Sequence, residues 1–354
     1  MTKRPARLHI FMIDGTFSRL EPGRETNIGR IYRLLEEVGP SANQSFGYHP
    51  GVQGEGWSKL WAGITGFGLN DAIMDTYATL ASRYEPGDRV ILLGYSRGAY
   101  GVRSLAGWIA RVGLLKSRHA LPRRVARAFR YYEAGVSQTA AAEFKARFCH
   151  ENVPIELIGC FDTVKALGLP YPVLNRLAPF ATEFHDHTLS QSVANAAHAL
   201  ALDESRITYA PVPWNPAPDW PGTLEQAWFA GAHPDIGGQL GGMERARALS
   251  NIPLVWMLQR LERCGVTLPE GWAEGLKTDP GAPMVGSWRG INRLYLMRAT
   301  RIVRRFASEA LHPSVLARTR LLPRYKPKAE ISGATGAIQP PPQTLTEPLS
   351  PPRR

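Results

Sequence analysis

A serine hydroxyl is a poor nucleophile at neutral pH until a base takes its proton and an acid orients that base. Gly94-Tyr95-Ser96-Arg97-Gly98 sets a serine between two glycines. Such a pentapeptide carries chemistry when it forms a sharp strand-to-helix turn, because side chains at the glycine positions would collide with neighbouring elements. The flanking residues predict that turn. Arg89 to Leu93 is a short β-rich run, and Ala99, Val102, Ala106, Ile109 and Ala110 then recur at helical spacing. The N-terminus of that helix would face the serine and favour developing negative charge.

Open α/β sheets place their sites beyond the carboxyl ends of the strands, with partners in the order Ser, acid, His. Asp162 directly follows the apolar run 155–161, and His233 follows the run 226–230. Ser96, Asp162 and His233 are therefore the expected triad. Two other acids compete. Asp203 lies in Ala199-Leu200-Ala201-Leu202-Asp203-Glu204, which reads as helical and far from a strand end, and Asp235 reads as a shaper of the Gly237-Gly238 turn. His185 and His187 flank Asp186, but no third ligand at a metal-type spacing accompanies them, so a polar loop is expected there. No metal or cofactor is expected for this chemistry.

Asp14-Gly15-Thr16 has part of the Asp-x-Asp-Gly-Thr pattern of haloacid-dehalogenase-like phosphatases, but Met12 occupies the nucleophile position and excludes that reaction. The loop is instead expected to share an oxyanion hole. The N–H of Arg97 would give one donor and Gly15 or Thr16 the other.

The elements that must position these residues follow from pattern. A buried strand is expected over Leu8 to Ile13, ending at Asp14-Gly15, and a helix over 27–37 with Ile28, Ile31, Leu34 and Leu35 on its apolar face. Residues 38–68 read as a long Gly- and aromatic-rich loop. A further helix, capped by Asn70, carries Ile73, Tyr77, Leu80, Ala81 and Tyr84. Strands alternating with helices predict a mostly parallel α/β sheet with helices on both faces. The expected division is a catalytic domain over 1–326 and a disordered tail over 327–354, which holds seven prolines.

Composition narrows the class further. The 354 residues carry 44% hydrophobic and 20% charged side chains, an ordinary globular balance. Three widely spaced cysteines, Cys149, Cys160 and Cys264, fit a reducing compartment. The apolar run after Lys3-Arg4 is too short for a secretory leader, and no apolar run reaches the roughly 18 residues of a spanning helix. A cytoplasmic protein is expected, or one exported without a cleavable leader. The net charge of +12 attracts anionic partners. No recognised nucleic-acid module accompanies it, so none is expected as a partner. The basic stretch 291–311 reads as a helix, with Ile291, Leu294, Tyr295, Ile302 and Phe306 as a broken apolar stripe and Arg293, Arg298, Arg301, Arg304 and Arg305 around it. Those arginines would meet an anionic membrane.

Several segments together carry a family likeness. They are Asp14-Gly15-Thr16 with Thr26-Asn27, Gly63 to Leu69, Glu85-Pro86-Gly87-Asp88, Gly94 to Tyr100, Phe161-Asp162-Thr163-Val164, Ala201 to Glu204, and Trp228 to Gly238. In this order they resemble the catalytic domain of type VI secretion lipase effectors, over roughly 7–320. The resemblance implies an α/β-hydrolase fold, a bacterial source, and a Ser-Asp-His triad on Ser96, Asp162 and His233. It also implies an esterase acting on acyl esters of membrane lipids. The competing expectation is a catalytically silent module of the same fold that binds an anionic membrane or a protein partner.

Overall fold

The computed structural model describes residues 4–41, 43–53, 68–133, 138–164, 189–288, 295, 297–303 and 306–331. The chain opens with β1 (Leu8–Ile13), α1 (Asn27–Val38) and β2 (Gln44–His49). It continues through α2 (Leu69–Arg83), β3 (Arg89–Tyr95), α3 (Arg97–Val112), α4 (Pro122–Glu133) and α5 (Gln138–Phe148). Then come β4 (Ile155–Phe161), β5 (Asn195–Ala201), β6 (Thr223–Phe229), α6 (His233–Gly237) and α7 (Arg247–Arg263). Short β7 (Ile302–Val303), β8 (Glu309–Leu311), α8 (Pro313–Leu321) and β9 (Glu330–Ile331) complete it.

Among the described residues, seven strands form one sheet in the order β2-β1-β3-β4-β5-β6-β8, and neighbouring strands in it run parallel. This is the expected α/β architecture. Alternate residues of one strand serve different cores, as the two-residue period requires. Phe11 and Ile13 pack with α2, α3 and α4, while Ile10 and Met12 pack with α1 and α7 on the opposite face. Tyr77 of α2 stacks on Trp108 of α3 with ring centroids 3.7 Å apart. Such a buried aromatic pair is worth roughly 1 kcal/mol beyond its area, and it anchors the helix that follows the serine.

Several expectations change. Residues 38–68 are not one loop, because β2 forms the sheet edge. Its sequence, Gln-Ser-Phe-Gly-Tyr-His, is half-exposed and lacks an apolar run. Of the Ala-rich segment 199–204 read as helical, 199–201 are instead the end of β5, and 202–204 lie in the loop after it. Alanine favours helix in isolation, but here small side chains suit a strand buried between β4 and β6. Asn70 lies inside α2 rather than capping it; Gly68 holds the cap position with φ 93°.

The basic stretch differs most. Among its described residues there is no helix. Arg298 forms an antiparallel bridge with Arg206, and β7 and β8 follow. Arg298 stacks over Trp288 at 3.4 Å and donates to Ser205 Oγ, and Arg301 is buried. Both guanidiniums thus hydrogen-bond within the fold instead of lining one face of a helix. Arg293, Arg304 and Arg305 lie outside the described residues, as do His185, Asp186, His187, the segment 54–67 and most of the proline-rich tail. The described structure continues past the expected boundary at 326, because β9 pairs with β7. The three cysteines are free and buried. Among the described residues no helix is long and apolar enough to cross a membrane.

Candidate active site

Ser96 is the hinge between β3 and α3, with φ 59° and ψ −122°. A side chain rarely adopts that backbone, and steric demands on both sides impose it. A Cβ at Gly94 would come within 2.6 Å of the Ala99 backbone, and one at Gly98 within 2.2 Å of the Ile13 carbonyl oxygen. Backbone therefore touches backbone where α3 starts against β1, and only the glycines permit it. The Ser96 N–H donates to the Phe161 carbonyl at 3.0 Å, tying the hinge to the end of β4.

At that strand end Asp162 also has positive φ, 41°. Its own N–H donates to Ala199 O at 2.7 Å, and its Oδ1 accepts from the Ala201 N–H at 2.9 Å. His233 opens α6 after β6. Its Nδ1 lies 2.6 Å from Asp162 Oδ2, and its Nε2 lies 2.8 Å from Ser96 Oγ. The three residues expected from sequence are thus brought together, with the imidazole bridging carboxylate and hydroxyl. With Nδ1 protonated toward Asp162, Nε2 presents a lone pair that can accept the serine proton.

The ring of His233 is flanked by Tyr95 and Tyr209, at 4.9 and 4.7 Å between centroids. Burial lowers its pKa, against the raising pull of Asp162. Burial alone would raise the Asp162 carboxyl. The Arg301 guanidinium and the bond to His233 outweigh that and hold it well below the usual carboxylate range.

The rival acids have other work. Asp235 accepts from the N–H groups of Ala232, Val285 and Gly286 at 2.9, 2.6 and 3.1 Å. Asp203 accepts from the Gly231 N–H at 2.8 Å, the Tyr325 hydroxyl at 2.7 Å and the Lys328 N–H at 3.2 Å. Both shape the loops around His233 rather than contacting its ring.

The oxyanion expectation needs one correction. The Gly15 N–H donates to its neighbour's Asp14 Oδ1 at 2.7 Å, so it is already engaged. A Cβ at Gly15 would meet the Tyr95 ring at 2.6 Å, and that close approach explains the glycine. The buried Thr16 hydroxyl has no hydrogen-bond partner among the described residues. Arg97 is the first residue of α3, and first-turn N–H groups point out of a helix end. Thr16 and Arg97 are what is left of the expected set.

Sequence reasoning missed a set of charged residues beneath the triad. Glu204 accepts the His233 N–H at 3.2 Å and forms a buried ion pair with Arg206, Nη2 to Oε2 at 2.7 Å. Arg206 covers the Tyr209 ring at 3.7 Å. His198 on β5 accepts the Thr163 N–H at 3.0 Å, and burial pushes its pKa down to about 3, so it stays neutral. Arg301 grips Asp162 from far along the chain. Glu204 and Arg206 had a local signal, an acid and a base two residues apart beyond a strand. Arg301 had none.

Comparison with known proteins places the chain in a family. Residues 7–260 match the model of the T6SS phospholipase effector Tle1-like catalytic domain. An uncharacterized protein of Saccharomyces cerevisiae is 32% identical, over 58% of this chain and 33% of its own length. The chain thus spans about a third of that curated relative, and a bacterial source does not follow from the likeness. Among solved structures, the Tle1 effector bound to the VgrG spike of the type 6 secretion system is 17% identical with a TM-score of 0.40. That match covers 66% of this chain and 52% of the other. An uncharacterized protein from Pseudomonas aeruginosa is also 17% identical, with a TM-score of 0.46, over 77% of this chain and 49% of the other. With most of its length matched by the family model, the chain belongs to the T6SS phospholipase effector Tle1-like catalytic-domain family.

Proposed function

We propose that this protein is a serine esterase that hydrolyses acyl esters of lipids, with Ser96, His233 and Asp162 as its triad. The observation that carries the reading is the imidazole of His233 held between Ser96 Oγ at 2.8 Å and Asp162 Oδ2 at 2.6 Å. Membership in a phospholipase effector family supports the lipid class of substrate.

The reaction divides into two halves. Ser96 Oγ attacks the ester carbonyl carbon as its proton passes to His233 Nε2. The carbonyl π electrons move onto oxygen, facing the N–H of Arg97 and the hydroxyl or N–H of Thr16. Collapse breaks the bond to the alcohol, which takes the proton from His233 and leaves an acyl-serine. Water then attacks that ester, again giving its proton to His233, and Ser96 departs with the proton returned. Asp162 stays ionised throughout and holds the imidazole in the required tautomer.

A fluorophosphonate probe tests this directly, because only an activated serine reacts with it. Wild type should be labelled and should release fatty acid from phospholipid vesicles. A folded Ser96→Ala variant should do neither. Equal labelling of the two proteins, or persistent hydrolysis by the variant, would exclude Ser96 as nucleophile.

A further inference from the structure

Among the described residues, the guanidinium of Arg301 makes four hydrogen bonds, each with the machinery around His233. Nη1 lies 2.6 Å from Asp162 Oδ1 and 2.7 Å from the Ala201 carbonyl. Nη2 lies 3.0 Å from Asp162 Oδ2 and 2.6 Å from the Tyr209 carbonyl. One planar group thereby ties together the end of β4, the end of β5 and the turn whose tyrosine ring lies against His233. A bidentate fork of this kind fixes direction as well as charge. Arg301 itself is anchored from behind, since the Glu330 N–H donates to its carbonyl at 2.8 Å as β9 pairs with β7. It also lies outside residues 7–260, the stretch matched by the family model.

We propose that Arg301 is the positioning residue of the catalytic acid: it aims Asp162 at His233 and cancels the carboxylate charge, so that the imidazole stays a free base. The inference rests on the esterase reading for its kinetic consequences, though not for its electrostatic ones. Among the described residues, the charged groups set around His233 are Asp162 at the end of β4, Glu204 and Arg206 from the loop after β5, and Arg301 from the edge of β7, with Arg97 at the start of α3 and Asp203 and Asp235 bonded to the loop that carries the ring. The rings of Tyr95 and Tyr209 cover its two sides, and neutral His198 lies beyond Asp162. Two buried carboxylates face two buried guanidiniums, with at most 4% of any of these side chains exposed. The two ion pairs, Asp162–Arg301 and Glu204–Arg206, are each neutral without a proton on His233. An imidazolium formed during turnover is then balanced by the oxyanion it helped create, not by a standing excess of negative charge. A lone carboxylate would favour the imidazolium before substrate arrives, and less free base would be present at a given pH.

Three proteins decide it: wild type, Arg301→Gln and Arg301→Lys. Each is read by kcat and KM for a soluble short-chain ester across pH, and by NMR titration of His233. Arg301→Gln leaves Asp162 unbalanced. The acidic limb of kcat/KM and the His233 titration should both move to higher pH, and kcat should fall roughly ten- to hundredfold with KM little changed. Arg301→Lys restores the charge but not the fork. Its titration should stay at the wild-type pH while kcat is still reduced. Wild-type titration together with kcat within about twofold of wild type in Arg301→Gln would overturn the proposal. Should that variant not fold, unchanged kcat in Arg301→Lys would overturn it equally. A wild-type protein that hydrolyses no ester would refute the proposed function alone, because the NMR titration still reports whether Arg301 sets the His233 proton.

Discussion

Asp162 and His233 lie 71 residues apart in the chain and meet at 2.6 Å, with the carboxylate reaching the ring nitrogen opposite the one that faces Ser96. The contact forms because β4 and β6 both end at the same edge of a parallel sheet, separated only by β5.

Asp162→Asn should therefore lower kcat by roughly three to four orders of magnitude, since an amide stabilises the wrong imidazole tautomer. It should also lower stability, because Arg301 is left buried without its counter-charge. Asp203→Asn and Asp235→Asn should act mainly on stability, as their carboxylates serve backbone N–H groups. Steady-state kinetics beside denaturant unfolding separates these effects. A larger loss of kcat in Asp235→Asn than in Asp162→Asn, at matched stability, would show that the acid is misassigned.

The backbone of Ser96 predicts a stability difference between two inactive variants. At φ 59° and ψ −122° any side chain is strained, whereas glycine is not. Ser96→Gly should exceed Ser96→Ala in unfolding free energy by on the order of 1 kcal/mol, even after glycine's greater loss of freedom on folding. Urea titration of the pair measures it. An equal or lower value for Ser96→Gly would mean that the hinge is not strained at this residue.

Asp14 makes stability depend on pH. Its carboxylate is fully buried and accepts from Thr26 Oγ at 2.6 Å, the Tyr48 hydroxyl at 2.8 Å and the Gly15 N–H at 2.7 Å. Burial nevertheless pushes its pKa up to about 6 from 3.8. A folded-state pKa above the unfolded one means that the native state binds the extra proton between those values. The stability Asp14 contributes is full below about 3.8 and is lost as pH rises through about 6. The span is worth about 3 kcal/mol. Asp14→Asn keeps an acceptor for Gly15 and lets the two hydroxyls turn to accept, so it should remove this dependence. Relative to wild type it should gain stability between about pH 4 and pH 6 and keep that margin at higher pH. A constant difference between the two proteins over that range would argue against a buried, titrating Asp14.

Much of the site was legible from residue order. The buried strand Leu8–Ile13, the run Ile155–Phe161 and the Gly94–Gly98 turn are local patterns, set by apolar period and by glycines where backbones touch. Ser96, Asp162 and His233 could be placed because strand ends in a parallel sheet gather at one edge. Other features depend on contacts that no local pattern records. The Ala-rich β5 has helical propensity, and only burial between two neighbouring strands makes it a strand. Gly15 looked like an oxyanion donor until the Asp14 side chain took its N–H. Arg301 stood in a basic stretch with the spacing of an exposed helix. Its guanidinium instead reaches Asp162 across 139 residues, because a buried carboxylate needs a counter-charge and the fold brings that arginine within reach. Periodicity reports which face of a segment is apolar. Which charge will be buried against which other is decided only when the chain has closed around both.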